Sequence, residues 1–170
     1  GSLEGIPDDL GLLFQEAYDA GARIHSNSWS SAEAGSYAVD SQNTDYFSWT
    51  HPDLAMAFAA GSAAVDANPA DGLVDSGSLG SPASAKNCIT VGASENSRSD
   101  MATGTWGGYL PLDFPNAPIY GDPRADNPLG MAALSGRGPT VDGRFKPDIV
   151  APGAYVVSTK SSAMSAACIW

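Results

Sequence analysis

The chain has 170 residues, with 19 acidic against 8 basic side chains and a formal net charge of −11. That length suits one domain, and 43% apolar residues suffice for a buried core. A charged fraction of 16% argues against a disordered acidic tail. The negative balance argues against a nucleic-acid partner, because a phosphate backbone would be repelled. The longest uninterrupted apolar run, Leu54 to Ala60, has seven residues. A membrane span needs roughly 20, so no membrane role is expected.

In chain order, Pro7 and Asp8 open a predicted helix, with Leu10, Leu13, Phe14, Ala17 and Tyr18 at helical spacing on one face. Gly21 is placed to end it in a left-handed conformation. A short strand follows over 23–28. A second helix is predicted over 39–50, with Val39, Asn43, Tyr46, Phe47 and Thr50 on one side and His51-Pro52 as its stop. Residues 55–60 read as a fully apolar strand. A third strand is expected over 88–91, ended by Gly92, and two more over 149–150 and 155–158. Strands apolar on both faces and separated by helices imply a parallel sheet covered on both sides. From about 94 to 134 the periodicity is lost. Trp106 and the prolines at 111, 115, 118 and 123 mark an ordered loop rather than a linker.

Fifteen of the 19 acids are Asp, a residue of caps, loops and cation sites. Cys88 and Cys168 are too few for a disulfide framework, and no C-x-x-C pair suggests zinc. Cys88, inside an apolar run, is expected to be a small buried side chain.

Ligands of a parallel sheet bind beyond the carboxyl ends of its strands. Three such places stand out: Asn27-Ser28-Trp29-Ser30, Ala59-Ala60-Gly61-Ser62 and Gly92-Ala93-Ser94. Each could also be an ordinary strand-to-loop turn. Several blocks carry a resemblance: Gly-Ala-Arg-Ile-His-Ser-Asn-Ser-Trp at 21–29, Phe-Ala-Ala-Gly at 58–61, and Gly-Ser-Pro-Ala-Ser-Ala-Lys-Asn-Cys-Ile-Thr-Val-Gly-Ala-Ser-Glu-Asn at 80–96. Asp-Gly-Arg-Phe-Lys-Pro-Asp-Ile-Val-Ala-Pro-Gly at 142–153 is nearly as specific. Over almost its whole length the chain resembles the central part of subtilisin-like serine proteases, close to their alkaline, oxidation-resistant branch.

The resemblance implies an α/β, three-layer fold with a parallel sheet. The whole of 1–170 would be a partial peptidase domain, incomplete at both ends. It implies peptide hydrolysis by an Asp–His–Ser triad with an oxyanion hole. Ser28, Trp29 and Ser30 would form the substrate-binding edge, and Ala59, Ala60 and Gly61 a pocket wall. Ser62 stands where the family has its oxyanion-hole Asn, and a hydroxyl is too short to reach the same point. Ser30 stands where the family usually has Gly, so its side chain is expected to crowd a bound peptide. Gly136 replaces a usual Ser, a smaller change. The family's Asp and His motifs match nothing here. His25, beside Ile24 on a strand, and His51, ending a helix, read as structural. Ser161 to Ala167 resembles the nucleophile motif, with Ala163 at the nucleophile position, although an unrelated terminus fits that end equally well.

The resemblance therefore implies a segment of a secreted, extracellular serine endopeptidase that is inactive alone. The alternative is a non-catalytic relative that binds peptide or calcium or is purely structural. Asp66, Asn68, Asp71 and Asp75, with Gly72 for a turn, offer oxygen donors for a structural calcium, or else form a solvated turn. Truncated ends would leave a sheet edge and apolar faces bare, with Phe58, Cys88, Ile89 and Val91 needing cover. A polypeptide substrate, a companion fragment of the same protease or a homo-oligomer are the expected partners. Ser81-Pro82 is a candidate for a cis peptide.

Overall fold

A computed structural model describes residues 5–100 and 103–159. Four parallel strands form one sheet in the order β1-β2-β3-β4: β1 Ile24–Asn27, β2 Ala55–Ala59, β3 Ile89–Ser94 and β4 Ile149–Pro152. The registers are regular, with Ser26 beside Ala57, Phe58 beside Thr90 and Gly92 beside Val150. Helix α1, Leu10–Asp19, precedes β1, and α2, Val39–Thr50, links β1 to β2. No helix is long and apolar enough to cross a membrane among the described residues.

Helix α1 starts where Asp9 accepts the Gly11 N–H at 2.9 Å. It ends at Gly21, whose φ of +93° favours a residue without a Cβ. Its Leu10 and Phe14 are buried, with Leu13 and Tyr18 packed at their flank. Phe14 is the hub, edge-on to Phe47, Phe58 and His25 with centroids 5.3–6.2 Å away. Met56, Phe58 and Ala60 complete this core from the sheet.

The boundaries of α2 are as the pattern predicts, but its inward face is not. Val39 and Tyr46 are exposed, whereas Ser41, Thr44, Asp45 and Phe47 are buried. The reason lies in what α2 meets. Residues 81–87 present hydroxyls and unpaired N–H groups. Ser41 Oγ bonds with Ser81 and Ser84, and Asp45 accepts the N–H groups of Lys86 and Asn87 at 2.8 and 2.7 Å. Polar residues on α2 satisfy buried donors that apolar ones would leave orphaned.

Two strand expectations are corrected. β3 does not stop at Gly92 but runs to Ser94. Gly92 is needed inside the strand, because a Cβ there would come within 2.7 Å of Met131 Cε and 2.8 Å of Pro147 Cγ. No strand forms over 155–158. Tyr155 takes a φ of +52°, which breaks an extended run, and its ring packs beside the Arg124 guanidinium.

The sheet also differs from a layer covered on both sides. Both helices lie on one face. The opposite face carries Ile24, Ala55, Ala57, Ile89, Val91 and Ile149, and no described helix covers these residues; only at the end of β3 does Ala93 on this face pack against the cluster of Trp106, Phe114 and Ala132. Ile24 is 76% and Ile149 53% exposed. Phe58 and Cys88 point the other way and are already buried, so of the four residues expected to need cover only Ile89 and Val91 do. The described residues beyond β3 have a core of their own. A short helix α3, Trp106–Tyr109, buries Trp106 against Phe114, Ala132 and Ala133. Trp106 Nε1 donates to the buried Glu95 at 2.8 Å.

Candidate functional site

Beyond β1, Ser28, Trp29 and Ser30 lead to Ser31, which pairs with Ser81, N–H to carbonyl at 2.8 and 3.0 Å. Trp29 is held by an edge-on contact with Phe58, 5.7 Å between centroids. Beyond β2, Ala60 donates its N–H to the Val91 carbonyl, and its own carbonyl accepts the Gly80 N–H at 3.0 Å. Gly61 then turns the chain with φ +94°, and its carbonyl accepts from Gly136 at 2.8 Å. The two segments face each other across a cleft of about 360 Å³ lined by Ser28, Trp29, Ser30, Ala59, Gly61 and Ser62. Five of the six residues expected to bind substrate thus share one cleft with Ser62. Ala60 is the exception. Its side chain is buried in the helix-side core, and only its backbone serves the site.

A second compartment of about 150 Å³ adjoins the first and shares Ser30, Gly61 and Ser62 with it. Its other lining residues, Ser31, Ala32, Ala63, Ser78 and Gly80, escape a reading based on strand ends. Gly80 opens the 80–96 block, which was the one available signal. Among the described residues no ionisable side chain lines either compartment. A third hollow, about 260 Å³, runs across the carboxyl ends of all four strands, from Ser26 to Gly153.

Two substitutions read differently in three dimensions. Ser30 turns its side chain toward the wall: a Cβ on Gly80 would stand 2.8 Å from Ser30 Cβ. Gly136 is not a minor change, because a Cβ there would lie 2.2 Å from the Ala60 carbonyl oxygen. A Ser at 136 is incompatible with this backbone.

Both histidines sit with the helices. His25 faces Phe14, and burial pulls its pKa below the ordinary value. His51 stacks on Phe47 at 4.0 Å and 10°. Neither lines the cleft. Cys88 is buried and unpaired among the described residues, with its thiol pKa pushed up by burial. The Ser81–Pro82 peptide beside the inner compartment is cis. Ala163 lies outside the described residues.

The 66–75 loop uses its carboxylates internally. Asp66, fully buried, accepts the N–H groups of Asp71 and Gly72 at 2.9 and 3.1 Å. Asp75 accepts those of Ala67 and Asn68, both at 2.9 Å, and Asp71 that of Leu73 at 3.0 Å. Among the described residues no three His, Cys, Asp or Glu side chains are grouped to hold a metal ion. This donor set fits a closed turn held by backbone N–H groups. It does not fit the six to eight converging oxygens that calcium takes.

The model of the subtilase family matches residues 10–168. The chain belongs to the subtilase family. Among curated proteins, this subtilase chain is 30% identical over 207 aligned positions to the serine protease/ABC transporter B family protein tagD of Dictyostelium discoideum. The alignment covers 92% of the chain and 11% of that protein. The corresponding tagB protein of the same organism is 29% identical, with 92% of the chain and 10% of tagB covered. The chain therefore spans about a tenth of the length of these relatives. An alignment of 207 positions exceeds the 170 residues available, so tagD carries residues within the matched region that the subtilase chain lacks.

Proposed function

We propose that this subtilase chain is the peptide-binding part of a subtilisin-like serine endopeptidase, and that by itself it does not hydrolyse peptides. One observation carries the reading. Ser28–Ser30 and Ala59–Ser62, segments 30 residues apart in sequence, form opposite walls of a single cleft beyond the strand ends. An extended peptide can lie along the Ser28–Ser30 edge and send one side chain between the walls, in the manner of strand addition.

The chemistry of such a peptidase needs a nucleophile, a base that takes its proton and donors for the oxyanion. Ser62 lines the cleft with a short hydroxyl in place of an amide. Losing one such donor raises the barrier by about 2.7–4 kcal/mol. No histidine faces the cleft. In this reading the Asp and His come from polypeptide outside the chain, and the enzyme acts outside the cell. The uncovered sheet face, with Ile24 and Ile149 exposed, supports a companion polypeptide there. The second reading, a non-catalytic peptide-binding relative, is favoured by Ser62 itself.

An acetylated tetrapeptide amide titrated into the 170-residue chain should shift the amide resonances of Ser28–Ser30 and Ala59–Ser62 and remain uncleaved. Hydrolysis abolished by a serine-directed phosphonate would overturn the inactivity, and shifts confined to other residues would overturn the cleft.

A further inference from the structure

We propose that Ser30 is the specificity-determining residue of the cleft. It acts as a partition, so that the site takes a peptide presenting a small, uncharged, polar side chain. The inference rests on the peptide-binding reading above.

The two compartments have Ser30, Gly61 and Ser62 in common. The outer one adds Ser28, Trp29 and Ala59, and the inner one Ser31, Ala32, Ala63, Ser78 and Gly80. Ser30 stands at their junction. A Cβ built on Gly80 would meet Ser30 Cβ at 2.8 Å and Ser30 Oγ at 2.9 Å, and one on Gly61 would meet Ser30 Oγ at 3.0 Å. The Ser30 side chain therefore fills the space that two glycines leave open. Gly61, with φ +94°, cannot gain a side chain without strain. Without the Ser30 Cβ and Oγ the compartments would join.

The lining decides the chemistry. Ser30, Ser31, Ser62 and Ser78 line the junction and the inner compartment of about 150 Å³. The Ser31 hydroxyl donates to the Ser81 carbonyl and the Ser78 hydroxyl accepts the Arg137 N–H, which leaves Ser30 and Ser62 to meet a ligand. A hydroxyl or amide entering there finds donors and acceptors. A lysine or aspartate side chain would enter without a counter-charge, which is costly. An aromatic ring would have to stop at Ser30, setting its apolar edge against the Ser30 and Ser62 hydroxyls. Polar sites of this kind discriminate strongly against groups that leave their hydrogen bonds unmade.

The test is calorimetric titration of the 170-residue chain with four acetylated tetrapeptide amides that differ only in one side chain, Ser, Asn, Phe or Lys. Ser and Asn should bind about tenfold more tightly than Phe and Lys, a gap of about 1.4 kcal/mol. Ser30→Gly should bring Phe to within about threefold of Ser and leave Lys weak, because the merged pocket is still uncharged. Ser30→Ala keeps the Cβ and should still reject Phe. No binding of any peptide to the natural chain overturns the cleft and the partition together. Binding that ignores the side chain, or a Phe-to-Ser ratio unchanged in Ser30→Gly, overturns the partition alone. If circular dichroism shows Ser30→Gly unfolded, Ser30→Ala decides: loss of Phe rejection refutes the partition and its retention supports it.

Discussion

The two faces of the sheet are made from the same four strands and lead opposite lives. On one, Met56, Phe58 and Ala60 meet Phe14 and Phe47 and are almost wholly buried. On the other, the intervening Ala55, Ala57, Ile89, Val91 and Ile149 are covered by no described helix. The alternation along β2 is clean, Met56 and Phe58 inward against Ala55, Ala57 and Ala59 outward. Large side chains mark the covered face and small ones the open face there. Toward β4 that economy disappears, because Ile149 and Val150 are both about half exposed. A side chain of given chemistry thus contributes according to what packs on it, and substitutions on the two faces should differ by several kcal/mol.

The largest effect is expected at the hub of the covered face. Phe14→Ala removes a ring fully enclosed by Phe47, Phe58 and His25. Such truncations cost about 3–5 kcal/mol. Domains of this size have about 5–15 kcal/mol in all. The urea midpoint should fall by about a fifth or more, and a fall of under a tenth would mean that this core is not as packed as it stands here.

The contrast also shows what a sequence discloses. The positions of four strands and the ends of α1 and α2 were legible because apolar runs, Gly21 and His51-Pro52 are local signals. The inward face of α2 was not. Its partners are Ser81, Ser84 and the N–H groups of Lys86 and Asn87, some 40 residues on, so hydroxyls and one carboxylate are buried where an apolar stripe was expected. The cleft that Ser28, Trp29, Ser30, Ala59 and Gly61 share was signalled by the blocks that carry the resemblance. The inner compartment was not, since Ser78 and Gly80 reach it through the pairing of Ser31 with Ser81. The Asp-rich turn shows a related limit. Asp spacing cannot tell whether carboxylates face a cation or, as with Asp66 and Asp75, the N–H groups of their own loop.

A middle-sized effect tests the satellite core beyond β3. Glu95 is buried, and burial raises its carboxyl pKa above the ordinary 4.5. Raised in the folded state, it favours folding below the ordinary carboxyl pKa, and that contribution is lost as pH rises through the folded value. Glu95→Gln keeps an oxygen for Trp106 Nε1 and removes the titration. Relative to the natural chain, the variant should gain stability as pH climbs from about 4.5 to 7. Parallel melting-temperature profiles for the two chains would show that Glu95 is not titrating in a buried site.

The smallest effect belongs to the open face and is the sharpest check on the comparison. Ile149→Ser changes a residue that is 53% exposed and beside Val91 in the ladder. Outside packed cores, substitutions usually stay within about 0.5 kcal/mol. For the chain alone the urea midpoint should therefore barely move, while binding of a hydrophobic dye to this face should drop. If a companion polypeptide buries the face, the same substitution should cost more in the assembled molecule, because the lost apolar contact and an unpaired hydroxyl then add. A large loss of stability in the chain by itself would mean that Ile149 is already covered, and the two faces would not differ in the way their burial indicates.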